Sequence, residues 1–129
     1  MRAMNYWDNE HFGIDVLVGK VLKRIKVSVN NDEIIFECFD GDRFLMYHEQ
    51  DCCESVYLDD VCGSWHDFLD TEILDAYVES NEEEAVPDGY GEHVTWTFYN
   101  LRTIKGSITL TWRGESNGYY SEEVDFFKL

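Results

Sequence analysis

Apolar and polar residues alternate along much of the chain, and this alternation predicts a mainly antiparallel β fold. Two segments joined by a turn at Lys105-Gly106 show it best, with apolar side chains at every second position: Val94, Trp96 and Phe98, then Ile108, Leu110 and Trp112. A period of two among β-branched and aromatic residues is typical of half-buried strands. We therefore expect each strand to bury one face and to expose the other.

Three further strands are predicted in the first third of the chain, over residues 21–29, 33–39 and 43–48. Turn chemistry separates them at Asn30-Asn31-Asp32 and at Asp40-Gly41-Asp42, as expected of hairpins. In the first of these strands the buried face is assigned to four aliphatic residues: Val21, Ile25, Val27 and Val29.

The middle of the chain follows no single period. Ser64 is predicted to cap a helical turn over residues 64–69, with Asp67 three positions later. Residues 71–80 fit either a helix or a short strand. Residues 79–92 are predicted to form a mobile loop, because a run of charge meets the only Pro and two Gly. A last strand is expected around Val124 and Phe126.

These elements predict a mainly β (α+β) fold, namely an antiparallel sheet or open barrel of about six strands with one or two short helices. A length of 129 residues, 44% of them hydrophobic, suits one domain with its own core. We assign residues 13–129 to this single β-rich domain and residues 1–12 to an N-terminal arm or short helix.

Acidic residues far outnumber basic ones and are concentrated in one part of the chain. There are 27 Asp and Glu against 10 Lys and Arg, which gives a formal net charge of −17. Residues 49–92, here called the acidic middle segment, contain 15 of the acidic residues and no Lys or Arg. Because nucleic acids and anionic membranes are bound largely through Lys and Arg, this balance argues against direct binding to either.

The compartment is predicted to be the cytoplasm. No apolar run approaches the roughly 18 residues that a membrane-spanning helix needs. Residues 1–8 also lack the apolar core and the cleavage site of a secretory signal. In the cytoplasm the four cysteines are expected to be reduced.

One cluster contains the residue types that bind zinc: His48, Cys52, Cys53 and Cys62. Thiolates and imidazole nitrogens are the ligands of tetrahedral zinc sites. Adjacent cysteines are a poor chelate for a single ion, however, so the cluster is only a weak candidate and no metal or other cofactor is predicted. The alternative is that His48 hydrogen-bonds a backbone group or a carboxylate, while Cys62 and one of Cys52 and Cys53 pack in the core.

No catalytic motif stands out. The chain has no G-x-S-x-G elbow, no P-loop and no dinucleotide fingerprint. Acidic pairs such as Asp59 with Asp60 lack a diagnostic spacing, and so acidic a chain offers some such pair by chance. We therefore expect a protein that is not an enzyme.

Two long segments carry a resemblance to a known family. Residues 48–63 have the sequence HEQDCCESVYLDDVCG and residues 103–122 the sequence TIKGSITLTWRGESNGYYSE. Together they resemble a family of small uncharacterised proteins of tailed bacteriophages, from Gly13 to the C-terminus. The resemblance implies a phage or prophage origin and a domain of unknown function, and it transfers no functional residue.

In a phage context the charge itself indicates a function. A stretch of one sign projects a field that steers a protein onto basic surfaces. In a bacterial host such surfaces belong to nucleases, restriction and RNA-guided effectors, and transcription components. We expect a nucleic-acid mimic that blocks a host protein of this kind, as an anti-defence inhibitor in the cytoplasm of the infected cell. The residues predicted to contact the partner are acidic: Asp59, Asp60, Asp67, Asp70, Glu79, Glu82, Glu83 and Glu84.

Other interpretations stay open. The charge is also explained by solubility alone. A loop rich in hydrogen-bonding and aromatic groups follows Arg113, and with Asn117, Tyr119 and Tyr120 it is a candidate pocket for a nucleotide signal that the protein would sequester. The same loop suits a tight turn packed on the sheet. A structural or assembly role in the virion is a third hypothesis, and a two-fold homodimer is expected on base rates alone.

Overall fold

The computed structural model describes residues 10–11, 13–48, 54–84, 93–116 and 123–129, and these form two antiparallel sheets. Nine strands lie within the described residues: β1 (Glu10–His11), β2 (Leu22–Val27), β3 (Glu33–Cys38), β4 (Arg43–Tyr47), β5 (Ser55–Cys62), β6 (Ile73–Glu84), β7 (His93–Thr103), β8 (Gly106–Ser116) and β9 (Asp125–Lys128). The predicted β class is confirmed. The strands are more numerous than predicted because much of the acidic middle segment is also strand.

Helix is confined to two short pieces of the described chain. They are a 3-10 turn at Ile14–Leu17 and α1 at Trp65–Phe68. Neither is long enough to reach across a bilayer, and the described residues hold no other helix. Of the predicted N-terminal arm, Glu10–His11 is a strand paired with β9, and the rest of residues 1–12 lies outside the described residues.

The strands divide between two open sheets. One has the order β1-β9-β4-β3-β2 and the other the order β5-β8-β7-β6, with antiparallel neighbours throughout. The two predicted hairpins of the first third are present, and so is the hairpin that joins β7 to β8. The end strands β1, β2, β5 and β6 each pair with a neighbouring strand on one side only, so neither sheet closes into a barrel.

The larger of two hydrophobic clusters among the described residues joins the two sheets, and the smaller one contains Leu45, Tyr47 and Phe127 of β4 and β9. Trp112 of β8 is fully buried, and its indole N–H donates to the Sδ atom of Met46 of β4 at 3.1 Å. Phe44 of β4 and Phe126 of β9 stack with their ring centroids 5.3 Å apart in the same cluster. Each such aromatic side chain removes about 150–250 Å² from water, so this cluster is a main source of the stability of the fold.

The predicted buried face of β2 is correct only in part. Ile25 and Val27 pair with the buried Phe36 and Ile34, and Ile25 packs against the core, although Val27 at the edge is 37% exposed. Before them Leu22 is the fully buried residue in place of Val21, and Val29 is 100% exposed. The pairing with β3 shifts between Leu22 and Arg24. A bulge of this kind moves the alternation of side chains by one position, which a strict period of two does not anticipate.

In β7 the alternation is present, but Trp96 and Phe98, which the sequence pattern assigns to the buried face, do not face the core. Thr97 and Tyr99 face the core because they pair with the buried Trp112 and Leu110 of β8. Trp96 and Phe98 are half-buried and lie on the opposite face. We call that face of the four-stranded sheet the outer face.

Residues 73–84 form an edge strand, which resolves the choice between helix and strand for this part of the chain. β6 pairs with β7 along its whole length, from Ile73 opposite Thr103 to Glu84 opposite His93. The prediction of a mobile loop over residues 79–92 is therefore wrong for residues 79–84, and residues 85–92 lie outside the described residues. Pairing with β7 overrides the weak strand propensity of glutamate.

Gly63 fixes the turn between β5 and α1. Its φ is +120°, and a Cβ atom at this position would lie 2.7 Å from the carbonyl oxygen of Ser107. Ser64 caps α1 as predicted, since its hydroxyl accepts the backbone N–H of His66 at 3.2 Å. α1 contacts β8, and Phe68 of α1 is buried in the core.

We expect Gly63→Ala to lower the free energy of unfolding by about 3 kcal/mol, because backbone strain and a steric clash act together. Gly41→Ala is the matched control. Gly41 also has a positive φ, +97°, but nothing lies within 4 Å of the added Cβ atom, so strain alone should cost about 1 kcal/mol. Urea unfolding of both variants measures the difference, and equal losses would contradict the clash.

Candidate functional site

Most of the acidic residues predicted to contact a partner lie on the two edge strands of the four-stranded sheet. Asp59 and Asp60 are exposed on β5, and Glu79 is exposed on β6. Glu82, Glu83 and Glu84 end β6, where the structure describes the backbone only. These six residues therefore lie on one sheet, which the sequence did not predict, since it left residues 71–80 open between helix and strand and gave residues 79–92 as a loop.

The outer face brings the two acidic edges into register. Asp60 pairs with Thr111, Thr111 with Phe98, and Phe98 with Glu79. Directly paired residues share a face of the sheet, so Asp60 and Glu79 lie at opposite ends of one row. Three strand spacings separate them by about 14 Å. Between them is a surface of half-buried aromatic and hydroxyl side chains.

Arg113 lies in the neighbouring row, between Tyr57 and Trp96. Its guanidinium donates to the Tyr57 hydroxyl at 3.1 Å, forms an ion pair with Glu115, and lies 5.3 Å from the centre of the Trp96 ring. The hydrogen bond to Tyr57 raises the pKa of Arg113 above its already high value. The positive charge at the centre of the outer face is therefore engaged by groups of the same face.

Asn100 links the centre of the outer face to its β6 edge. Its Oδ1 atom accepts the Thr109 hydroxyl at 2.9 Å, and its amide donates to a Glu79 carboxylate oxygen at 3.4 Å. Tyr77, its cross-strand partner, is 49% exposed. Asn100, Trp96 and Phe98 are groups of the outer face that the sequence pattern did not predict. The phase of alternation in β7 was the only signal for them, and it is ambiguous because both faces carry aromatic residues.

Charge is divided unequally between the two sheets. Strands β5–β8 contain eight acidic and two basic residues, whereas β1–β4 and β9 contain four acidic and five basic ones. On the five-stranded side Lys20 lies 2.8 Å from both Asp40 and Asp42, and these contacts raise the pKa of its amine. Negative charge is thus concentrated on the four-stranded sheet.

Two of the predicted acidic residues lie elsewhere. Asp67 is part of α1 and Asp70 follows it, with a φ of 64° and its backbone N–H donating to the Leu22 carbonyl oxygen at 2.9 Å. α1 contacts β8, whose first residue is Gly106. Gly106 pairs with Thr103 at one end of β7, whereas Glu84 pairs with His93 at the other end. Asp67 and Asp70 are therefore separated from the acidic end of β6.

His48 and Glu54 form a buried pair between the end of β4 and the start of β5. The Nε2 atom of His48 lies 2.7 Å from a carboxylate oxygen of Glu54, and the two side chains are 4% and 0% exposed. Nδ1 lies 2.6 Å from the Glu123 carbonyl oxygen. A carbonyl oxygen only accepts, so Nδ1 is the donor of that hydrogen bond, and Nε2 faces the carboxylate.

This pair bears on the zinc candidate. Both ring nitrogens of His48 are occupied by a carbonyl and a carboxylate, as the alternative interpretation of the sequence expects. Cys62 lies at the far end of β5 from Glu54, about 20 Å or more away at the rise of an extended strand. His48 and Cys62 therefore cannot share one ion.

The remaining cysteines divide by environment. Cys62 is exposed, so the expectation that it packs in the core is wrong, and Cys38 is the buried one. Cys52 and Cys53 lie outside the described residues. Within the described part of the chain, no group of three or more His, Cys, Asp and Glu residues is placed to hold a metal ion.

The candidate nucleotide pocket is described in part only. Arg113 lies on the outer face, while Asn117, Tyr119 and Tyr120 lie outside the described residues. A separate groove of about 260 Å³ lies between the sheets, lined by Val78, Tyr99, Val124 and Phe126 among others. Burial raises the pKa of the Tyr99 phenol, whose hydroxyl donates to the Val124 carbonyl oxygen at 3.4 Å.

We expect Glu54→Ala to lower the free energy of unfolding by about 3 kcal/mol, because it leaves Nε2 of the buried His48 without its carboxylate. Glu54→Gln should cost clearly less, since its amide can still hydrogen-bond Nε2. Urea unfolding of both variants is the measurement. A loss as large for Glu54→Gln as for Glu54→Ala would show that the contact between these side chains is not what stabilises the region.

Thiol labelling should distinguish Cys38 from Cys62. Burial, followed by the nearby Asp40 carboxylate, raises the pKa of Cys38 to about 11. At neutral pH Cys38 is therefore a protonated thiol, and the thiolate is the reactive form. We expect iodoacetamide to label the exposed Cys62 in the folded protein and Cys38 only after denaturation, as measured by peptide mass spectrometry. Equal labelling of both in the native state would contradict the burial of Cys38.

Comparison with known proteins places the chain in a family. No curated protein and no solved structure matches it. A family model described as a domain of unknown function, DUF7448, matches residues 15–126, from the 3-10 turn to β9. The chain therefore belongs to the DUF7448 family of domains of unknown function.

Proposed function

We propose that this protein is a non-enzymatic binding protein whose four-stranded sheet occupies a basic surface of a partner protein. The observation that carries the proposal is the division of charge between the sheets, with eight acidic and two basic residues in strands β5–β8. Such a one-signed surface attracts a basic partner over a distance and raises the rate of association.

The outer face also offers what a protein interface needs beyond charge. Tyr77 is 49% exposed, and Trp96 and Phe98 are half-buried between the acidic edges. Aromatic side chains surrounded by polar groups are the usual anchors of protein interfaces. Arg113 adds no free positive charge at the centre, because Glu115 and Tyr57 already engage its guanidinium.

The proposed surface indicates which kind of partner to expect. Exposed basic surfaces are typical of proteins that bind nucleic acids, and an acidic surface competes with the nucleic acid for such a surface. With the bacteriophage resemblance of residues 48–63 and 103–122, the proposal becomes an inhibitor of a host nuclease, restriction or RNA-guided effector, or transcription component, acting in the host cytoplasm. Binding of a nucleotide signal at Arg113 is less favoured, since a phosphate would have to displace the Glu115 carboxylate.

We expect the double variant Asp60→Asn, Glu79→Gln to weaken capture of basic host proteins at least fivefold. Its matched control is Asp70→Asn, Glu72→Gln, which also removes two negative charges, but from exposed residues that precede β6. Asparagine tolerates the positive φ of Asp70. Capture from a bacterial lysate is quantified by mass spectrometry at about 0.05 M and 0.5 M salt, which differ strongly in screening.

The outcomes separate a specific surface from general acidity. Loss of the same captured proteins in the outer-face variant and at high salt supports the proposal. Equal loss in both variants would mean that total charge alone decides binding, and capture that survives high salt would contradict the electrostatic mechanism. Charge reversal of Glu82, Glu83 and Glu84 to Lys should abolish capture while the protein remains folded.

A further inference from the structure

We propose that β6 binds an extended basic segment of the partner as an additional strand of the four-stranded sheet, an inference that rests on the proposed function. The first residues of β6 are already paired on the edge that faces away from β7. The Gly19 N–H donates to the Ile73 carbonyl oxygen at 2.8 Å, and the Ile73 N–H donates to the Lys20 carbonyl oxygen at 2.9 Å. Over residues 78–84, no described residue pairs with the outer edge of β6.

This part of β6 has the geometry of a template. Its pairing with β7 runs without interruption from Asp75 to Glu84, so the strand is regular over the residues whose outer edge no described part of the chain pairs. Seven residues present about 23 Å of edge. Unpaired N–H and C=O groups along a regular edge are what an incoming strand requires.

The two other long edges are less suited to this role. β5 is interrupted by a register shift between Leu58 and Asp60, and its Leu58 N–H already donates to the Asn31 carbonyl oxygen at 2.7 Å. β2 also contains a register shift and carries three basic residues, Lys23, Arg24 and Lys26. Bulges and lysines are devices that block edge pairing, and neither occurs in β6 beyond Asp75.

The charge of β6 selects the chemistry of the added strand. Its last six residues are Glu-Ser-Asn-Glu-Glu-Glu. Like charges placed opposite each other destabilise a strand pair, whereas opposite charges stabilise it. Two copies of this edge therefore repel each other, and a segment rich in Lys or Arg is favoured. The edge is protected against self-association and open to a basic strand.

A groove beside the edge indicates a second feature of the bound segment. Val78 of β6 and Tyr99 of β7 line one side of the groove of about 260 Å³, and Val124 and Phe126 line the other. Val78 is 49% exposed and belongs to the edge strand, so the groove reaches the edge. Side chains alternate along an added strand, and we infer that an apolar residue between the basic ones is seated in this groove.

The test uses a short peptide of alternating Lys and Val, and a control peptide of the same sequence that is N-methylated at every residue. Both carry the same charge, but the control has no N–H groups for a β ladder. We expect the unmodified peptide to bind at least tenfold more tightly by calorimetry at low salt. It should also slow hydrogen exchange of backbone amides in residues 78–84, while those of β2 and β5 are unchanged.

Two variants test the groove. Val78→Thr keeps the shape of the side chain but introduces a hydroxyl group, and it should weaken binding of the unmodified peptide several-fold. Val29→Thr, at a position that is 100% exposed in the turn between β2 and β3, is the matched control and should leave binding unchanged. If both substitutions weakened binding equally, the proposal that an apolar residue of the peptide binds in the groove would be wrong.

The peptide pair distinguishes strand addition from attraction by charge. Equal affinity of the two peptides would overturn strand addition and leave the proposed function standing, because charge alone would then account for binding. Protection of β5 or β2 in place of β6 would overturn the assignment of the edge. Failure of both peptides to bind at low salt would overturn strand addition and also count against the acidic sheet as a surface for basic partners.

Discussion

The shared core around Trp112 is the constraint on which the rest of this structure depends. Trp112 and Met46 come from different sheets and meet in the fully buried interior. Because the two sheets bury their inner faces against each other and neither closes on itself, the fold has four strand edges to protect. Edge protection accordingly determines much of the surface chemistry of this protein.

The edges are protected in different ways, and the differences determine where charge lies on the surface. Basic residues and a bulge protect β2, while a bulge and a contact from Asn31 protect β5. β6 is 12 residues long and is protected mainly by carboxylates. Protection by like charge excludes only partners of the same sign. The same glutamates can therefore keep the protein from self-association and favour a basic partner.

Sequence patterns predicted the strands that form local hairpins and missed the feature that organises the site. The alternation of Ile108, Leu110 and Trp112 is confirmed because β8 is central and regular. Residues 79–84 were predicted to form a loop because their local composition does not favour a strand. They form one because they pair with β7, and the local sequence does not show that pairing. The phase of β2 and β7 depends on a bulge and on cross-strand partners, which a single sequence does not show.

Concentrating negative charge on one sheet is energetically unfavourable within the free protein. Carboxylates that follow one another along an edge strand, such as Glu82, Glu83 and Glu84 of β6, repel one another, and self-repulsion of this kind destabilises the compact state. Arg113 relieves some of it at the centre of the outer face through Glu115, Tyr57 and Trp96. The acidic edges on β5 and β6 lie one or more strands away from it. Solubility alone does not require most of the acidic strand residues to lie on one sheet, and the proposed basic partner rests on this uneven division.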